Sequence, residues 1–255
     1  MKALIATSTL GFDPSEVAIP WKILHEAGVD VRFATDTGQQ ASPDPVMLTG
    51  EGLGPFKRAL IARKDARHAC AELQNDPHLQ NPTDYAAINP DDYDGLLLPG
   101  GHAKEVRPYL ESKTLQKAIV AFFKANKPVA AICHGAIAAA RAIDPETGKS
   151  ILHGRTTTAL LKRQELTGYS LTKRWMNDYY LTYPVTVQDE VTAALRSPKD
   201  FVEGPLPVLR DSPTHMSRGF THRDGQYLSA RWPGDAYNFA TDFLSMLHEK
   251  PSNSG

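Results

Sequence analysis

The chain opens with a strand–helix–strand pattern, which restricts its fold more than any other feature of the sequence. Residues 2–7 (KALIAT) form a short apolar run, typical of a strand that is buried on both faces. A loop follows, and then residues 15–27 predict a helix that ends before Gly28. Residues 29–34 predict the next strand. Two strands joined by a helix lie parallel, so the sequence predicts an α/β fold around a parallel sheet.

Two further apolar runs occur in the middle of the chain, and each ends in residues that are suited to chemistry. Residues 93–101 (YDGLLLPGG) predict a buried strand followed by two glycines, and residues 127–136 (KPVAAICHGA) predict a strand that stops at Cys133. The small residues after Cys133 predict that a helix begins at once. Such a turn lifts one side chain above the sheet edge and leaves the first N–H groups of the helix unpaired. These groups favour a thiolate, the reactive form of cysteine.

A long segment of different character separates the second predicted strand from the third. Residues 36–90 contain several prolines and glycines, and residues 55–73 carry apolar side chains at helical spacing. The segment is therefore predicted to be a helical cap inserted over the sheet. On this interpretation, residues 1–250 form a single domain and residues 251–255 form a disordered tail.

The C-terminal part of the chain predicts mostly strands. The β-branched residues in 154–159 predict a strand, with a turn over residues 160–165. Further strand-like pieces are 185–187, 191–195 and 227–231. Residues 235–247 have the spacing of an amphipathic helix, which is predicted to close the domain.

Composition limits the class of function. The chain is 41% hydrophobic and 22% charged with a net charge of −1, so a broad basic face for nucleic acid or anionic membrane is not expected. No run approaches the roughly 20 apolar residues of a membrane-spanning helix, and the N-terminal apolar stretch is too short for a signal peptide. The two cysteines cannot form a disulfide framework, and no CxxC metal pair is present. We therefore expect a cytoplasmic protein with a free, working thiol.

The motifs together resemble a known family. Pro-Gly-Gly at residues 99–101, followed further along the chain by AICHGA at residues 131–136, resembles the ThiJ/PfpI superfamily, which includes the parkinsonism-associated protein. Residues 15–20 (SEVAIP) are similar to the opening helix of that family. The resemblance implies a flavodoxin-like, mostly parallel sheet with helices on both faces, as in class I glutamine amidotransferases. It also implies a homodimer and is strongest for the chaperone-like glyoxalase III branch.

The resemblance assigns roles to five residues. Cys133 matches the nucleophile and His134 the adjacent base, while Glu16 matches the glutamate that points at the nucleophile. Gly100 and Gly101 match the turn that forms an oxyanion hole with the N–H of His134. Like charge and burial push a carboxyl near a thiolate toward its protonated form, which can donate a hydrogen bond or relay a proton. Without the family context, Cys133 is equally a small buried hydrophobe and Glu16 an exposed carboxylate in a first helical turn.

A catalytic histidine needs a partner that fixes its tautomer, and this partner is commonly a carboxylate. In the glyoxalase III branch, the helix after the nucleophile is followed by a strand and then by an acid. Glu165 lies at the matching place, after the predicted strand over residues 154–159. Glu165 is therefore the predicted third member of a triad with Cys133 and His134; the alternative interpretation is a solvated helix residue. Asp178 or a glutamate of a partner subunit are the alternatives for the same role.

Three functions are compatible with these residues. The first is a cofactor-independent enzyme that converts small α-oxoaldehydes such as methylglyoxal to 2-hydroxy acids, without glutathione or a metal. The second is a cysteine hydrolase acting on amides or peptides, because the same thiol and oxyanion donors serve acyl transfer. The third is a stress protein or chaperone that senses oxidation through Cys133. Each of the three acts through the same cysteine.

Overall fold

A computed structural model describes residues 1–249 and confirms the predicted α/β class. The strands of this part of the chain are Lys2–Ala6 (β1), Leu10–Phe12 (β2), Asp30–Thr35 (β3), Ser42–Pro43 (β4), Thr83–Asp84 (β5), Gly95–Leu98 (β6), Val129–Ile132 (β7), Thr221–Asp224 (β8) and Tyr227–Ala230 (β9). The central sheet has the strand order β5-β3-β1-β6-β7-β9-β8. Its neighbouring strands are parallel, apart from the antiparallel pair β8 and β9. The mostly parallel sheet predicted from the sequence is therefore confirmed.

Helices connect the strands. Their bounds are Pro14–Glu26 (α1), Pro45–Thr49 (α2), Lys57–Leu60 (α3), Lys64–Leu73 (α4), Pro77–Gln80 (α5), Arg107–Glu111 (α6), Lys113–Lys124 (α7), Gly135–Ala140 (α8), Lys162–Met176 (α9), Val187–Ala194 (α10) and Ala236–His248 (α11). Helix α1 packs against α4 and α11. Helix α8 packs against α6, α7 and α10. Among the residues described, no helix combines the length and the apolar character needed to cross a membrane.

Helix α1 begins where its sequence favours a helix start. The carboxylate of Asp13 accepts hydrogen bonds from the N–H groups of Ser15 and Glu16, at 2.7 and 3.1 Å, and Pro14 occupies the first turn. Every residue from Pro14 to Trp21 is buried, the polar Ser15 and Glu16 included. This start places Glu16 in the first turn, at the carboxyl edge of the sheet.

The strands β6 and β7 bring the two predicted motifs side by side. In the parallel register Leu98 lies opposite Ala131, so the two strands end at nearly the same level. The glycine pair follows β6 directly, and Cys133 follows β7 directly. The carboxyl ends of neighbouring parallel strands are where α/β proteins place ligand sites.

Three sequence-based predictions in the C-terminal part are wrong. The expected strand over residues 154–159 is reduced to one isolated bridge between Thr157 and Phe201. The expected turn over 160–165 is instead the start of the fifteen-residue helix α9. The expected strand-like pieces at 185–187 and 191–195 fall largely in helix α10, whose first turn is capped by the hydroxyl of Thr186. The strand at Tyr227–Ala230 and the closing helix α11 are confirmed.

The segment 36–90 contains six of these elements, from β4 to β5. Part of it forms a second small apolar cluster, in which Met47, Leu53 and Ala62 pack with Tyr180 from the loop after α9. Helix α4 packs on α1 and belongs to the main core. The assignment of residues 36–90 as a cap within one domain stays a prediction, and the predicted tail at 251–255 lies outside the described residues.

Candidate active site

The junction between β7 and α8 forms a strained turn at a single residue. Cys133 has φ = +58°, in the left-handed region that side chains other than glycine rarely adopt. Such a conformation costs on the order of 1–2 kcal/mol and persists where the surrounding structure fixes it. Here the backbone is held by the N–H of Cys133, which donates to the carbonyl oxygen of Ala230 at 3.1 Å. The turn aims the thiol away from the sheet, as in a nucleophile elbow.

Two glycines allow this elbow to approach the end of β6. A Cβ atom at Gly135 would lie 2.0 Å from the carbonyl oxygen of Leu98, and one at Gly100 would lie 2.7 Å from the backbone nitrogen of His134. Both distances are too short for any side chain. The sequence therefore needs glycine at both positions to bring the thiol to the glycine-containing turn.

The imidazole of His134 links the thiol to a threonine. Its Nδ1 lies 3.4 Å from Cys133 Sγ, and its Nε2 lies 3.0 Å from Thr182 Oγ1. The Thr182 hydroxyl donates its hydrogen to the carbonyl oxygen of His102 at 2.8 Å, so it can only accept from His134. The Nε2 atom therefore carries the proton, and the Nδ1 lone pair faces the thiol. This is the tautomer that a general base for Cys133 requires.

Glu16 completes the group from the side of α1. Its Oε2 accepts a hydrogen bond from the N–H of Gly100 at 2.8 Å, whereas Oε1 is buried with no hydrogen-bond partner in residues 1–249. Burial, together with the nearby carboxylate of Asp13, raises the pKa of Glu16 well above its usual value. The raised pKa favours the protonated carboxyl, which can donate its proton to a substrate oxygen. Glu16 is buried, so the alternative of an exposed carboxylate in a first helical turn does not apply.

The resting thiol is neutral, which corrects the expectation of a thiolate. Burial and the neighbouring acids Glu16 and Asp13 raise the pKa of Cys133 well above that of a free thiol, against the smaller opposing effect of the His134 N–H. Burial and the ring of His102 lower the pKa of His134 well below its usual value, so the imidazole is also neutral. Cys133 must therefore lose its proton to Nδ1 during its reaction rather than beforehand.

Two backbone N–H groups are available to a developing oxyanion. In the described residues no group accepts from the N–H of Gly101, and that of His134 lies against the Cys133 sulfur. The predicted donor at Gly100 is already used, because its N–H binds Glu16 Oε2. Gly100 therefore holds the carboxyl in place, and the donors that remain are Gly101 and His134.

The structure does not place Glu165 with the other predicted residues. Its Oε2 accepts a hydrogen bond from the N–H of Val187 at 2.9 Å, where it caps the start of α10, and His134 has Thr182 as its partner instead. Burial raises the pKa of Glu165 to about 7. The alternative Asp178 forms an exposed ion pair with Lys104 at 2.6 Å. Neither acid orients the imidazole in this chain.

A cavity of about 360 Å³ lies beside this group of residues. Its wall includes Asp13, His102, Tyr180 and Trp232, but not Cys133, which is only 1% exposed. The ring of His102 packs edge-on against that of His134, with 5.0 Å between the ring centres. His102 therefore both lines the cavity and packs against His134. Within residues 1–249, no three His, Cys, Asp or Glu side chains are grouped as a metal would need.

Sequence reasoning missed Thr182 and Asp13. Thr182 lies in the loop after α9, a helix that was itself not predicted, so no local pattern pointed to it. Asp13 could have been recognised as a helix N-cap, because it is an acid that directly precedes Pro14. Burial raises the pKa of Asp13 to about 6, so it adds a further acid of shifted pKa next to Glu16.

Known proteins are similar to this chain over most of its length. Residues 7–205 match the family described as ThiJ/PfpI family-like. A deglycase of Pyrococcus abyssi is 26% identical over 249 residues, which is 97% of this chain and 99% of the relative. A glutathione-independent glyoxalase of Schizosaccharomyces pombe is 26% identical over 89% of this chain and 83% of its own length. The crystal structure of glyoxalase III from Candida albicans superposes with a TM-score of 0.67 at 20% identity, covering 96% of this chain and 97% of the other.

Proposed function

The chain belongs to the ThiJ/PfpI family, and from this premise we propose that it is a cofactor-independent cysteine enzyme that converts small α-oxoaldehydes to 2-hydroxy acids. The observation that carries the proposal is the position of Cys133 Sγ, 3.4 Å from the unprotonated Nδ1 of His134 and beside the protonated carboxyl of Glu16. A thiol between a base and an acid is suited to addition across a carbonyl group. The match to relatives named glutathione-independent glyoxalase supports this reaction.

In the first step, the thiol adds to the aldehyde carbon. The Sγ–C bond forms while the thiol proton passes to His134 Nδ1, and the electrons of the C=O double bond move onto oxygen. That oxygen is stabilised by the N–H groups of Gly101 and His134 and takes the proton of Glu16. The product is a hemithioacetal with a hydroxyl group on the former aldehyde carbon.

In the second step, the hemithioacetal isomerises. The Glu16 carboxylate removes the hydrogen on the carbon that bears sulfur and delivers it to the neighbouring carbonyl carbon, while the hydroxyl proton moves to the neighbouring oxygen. The electrons rearrange within the substrate, so no external oxidant or reductant is needed, and the result is a thioester of a 2-hydroxy acid. Water then attacks the thioester: its hydroxyl group bonds to the acyl carbon and its proton returns to Glu16. The S–C bond breaks, and Cys133 regains its proton from His134.

The test uses both cysteines of the chain. With methylglyoxal alone, the wild-type protein is expected to form lactate, and Cys133→Ala is expected to lose the activity with its circular dichroism spectrum unchanged. Cys70→Ala is the matched control, because Cys70 is equally buried but lies in the core at α4. Lactate formation by the Cys133→Ala protein at the wild-type rate would contradict the proposal.

A second candidate is hydrolysis by acyl transfer. Relatives over nearly the whole chain are named deglycases, and the N–H groups of Gly101 and His134 would also serve a tetrahedral intermediate. A stoichiometric burst from an activated amide, together with no lactate from methylglyoxal, would favour this candidate. The homodimer and the cytoplasmic location expected from the sequence stay predictions, the first of which light scattering would test.

A further inference from the structure

The cavity beside the active site is much larger than a three-carbon aldehyde requires. Its volume of about 360 Å³ falls in the range of about 300–1,000 Å³ that accommodates drug-sized ligands. An aldehyde head bonded to Cys133 would extend toward it past His102, the side chain common to both. The volume therefore indicates that the α-oxoaldehyde carries a substituent larger than a methyl group.

The cavity wall is predominantly apolar. Its floor is formed by the buried side chains of Met47, Leu160 and Tyr180, and its rim includes the exposed side chains of Leu206 and Val208. Leu206 is 66% exposed and Val208 68% exposed, although large apolar side chains are costly to leave in water. An apolar group that enters the cavity would cover both.

The charged groups of the wall are already paired. The guanidinium of Arg210 donates to the carbonyl oxygens of Ala59 and Ile61 and lies over the ring of Trp232, 5.5 Å from its centre. The carboxylate of Asp13 caps α1. Arg163 lies 3.7 Å from Glu203. The wall therefore offers apolar contact rather than an unpaired charge for an ionic substituent.

The ring of His102 limits access from the cavity to the thiol. Its Nδ1 is buried without a hydrogen-bond partner in the described residues, so no hydrogen bond at that atom holds the ring in place. Rotation about the side-chain bonds therefore breaks packing contacts alone. A substrate that fills the cavity can displace this ring and reach Cys133.

We propose that the cavity binds the substituent of the substrate, and that the preferred substrates are α-oxoaldehydes bearing an aryl or comparably bulky apolar group rather than methylglyoxal. The proposal rests on the proposed function, because it assigns the substrate class of the same thiol. An apolar pocket discriminates by about 10- to 200-fold for each buried methylene-sized group. The expected kcat/KM for phenylglyoxal is therefore at least about tenfold above that for methylglyoxal.

The experiment compares two changes on one loop. Leu206→Asp places a charge on the cavity rim and is expected to lower kcat/KM for phenylglyoxal about tenfold with little change for methylglyoxal. Leu209→Asp is the matched control, because Leu209 is 56% exposed on the same loop and is not part of the cavity wall. Cys133→Ala protein, measured alongside, corrects for the slow reaction of both aldehydes with arginine side chains. Equal or better turnover of methylglyoxal by the wild type would overturn the inference and leave the proposed function intact.

A binding measurement separates the cavity from the chemistry. Acetophenone keeps the phenyl ketone but lacks the aldehyde, so its contact with the protein can be followed by saturation-transfer NMR without turnover. Binding is expected for wild type, Cys133→Ala and Leu209→Asp, and it is expected to be lost for Leu206→Asp. If neither aldehyde is turned over, the proposed function fails, whereas absence of acetophenone binding to the wild type overturns the cavity assignment.

Discussion

Replacing Thr182 with valine tests the origin of the His134 tautomer. Valine keeps the shape of threonine and removes the hydroxyl that now accepts from Nε2 at 3.0 Å. The buried Nε2–H would then have no acceptor, which costs about 1–3 kcal/mol. The imidazole can avoid this cost by moving its proton to Nδ1, where the lone pair for Cys133 would be lost. Since 1.4 kcal/mol corresponds to a factor of ten, kcat/KM should fall by about 10- to 100-fold.

The assay is lactate formation from methylglyoxal over a range of pH, with ¹⁵N NMR of the labelled imidazole as a second readout. Thr182→Ser retains the hydroxyl and should restore both the activity and the Nε2–H tautomer. A merely structural role for Thr182 would lower the melting temperature without changing the nitrogen shifts of His134. The reasoning is refuted if Thr182→Val is as active as the wild type, or if it loses activity while the Nε2–H tautomer remains.

Two further substitutions test the buried carboxyl of Glu165 and the buried hydroxyl of Tyr180. Glu165→Gln should leave kcat/KM intact and stabilise the protein at pH 8 by up to about 3 kcal/mol, since each pKa unit is worth about 1.4 kcal/mol. The pKa of Glu165 in the folded protein, about 7, lies above its ordinary value of 4.5. The gain in stability should therefore vanish below pH 4.5, and thermal melts at pH 8 and below pH 4.5 measure it. A large loss of kcat/KM would instead restore Glu165 to the catalytic group. Tyr180→Phe removes a buried hydroxyl that has no hydrogen-bond partner within residues 1–249 and should raise the melting temperature by about 2–4 °C. Tyr85→Phe is the control. It should lower the melting temperature, because the Tyr85 hydroxyl donates to the carbonyl oxygen of Thr7 at 2.6 Å. A shift of the same sign in both variants would contradict this interpretation.

The central strands were predictable because burial on both faces leaves an apolar run with no interruption. Residues 96–98 and 129–132 have this pattern, and both are strands of the parallel sheet. Helix α9 was not predictable in this way. Its buried residues are Glu165, Gly168 and Thr172, which have helical spacing but lack apolar side chains. Helix α10 was mistaken for strands because its buried positions are the β-branched Val187 and Val191.

The same distinction holds in the site. Cys133 and His134 are adjacent in sequence, and the glycines end a neighbouring strand, so parallel topology alone brings them together. The partner of His134 depends on the path of a loop that follows an unpredicted helix. Threonine also lacks the charge that led sequence reasoning to a carboxylate at Glu165. A neutral partner is sufficient here because the Thr182 hydroxyl is itself oriented by the carbonyl oxygen of His102.

The neutral resting state of the site favours addition to an aldehyde over cleavage of an amide. Burial disfavours the charged forms of Cys133, His134 and Glu16 alike, so each is held in its uncharged form. Addition of a thiol to an aldehyde gives a neutral hemithioacetal, because the proton lost by sulfur is balanced by the proton gained by oxygen. Both reactions make a transient imidazolium of His134, which its lowered pKa disfavours, but only amide cleavage depends on that ion to protonate a departing amine. The burial that keeps Cys133 unreactive at rest therefore costs least in the reaction whose covalent adduct carries no charge.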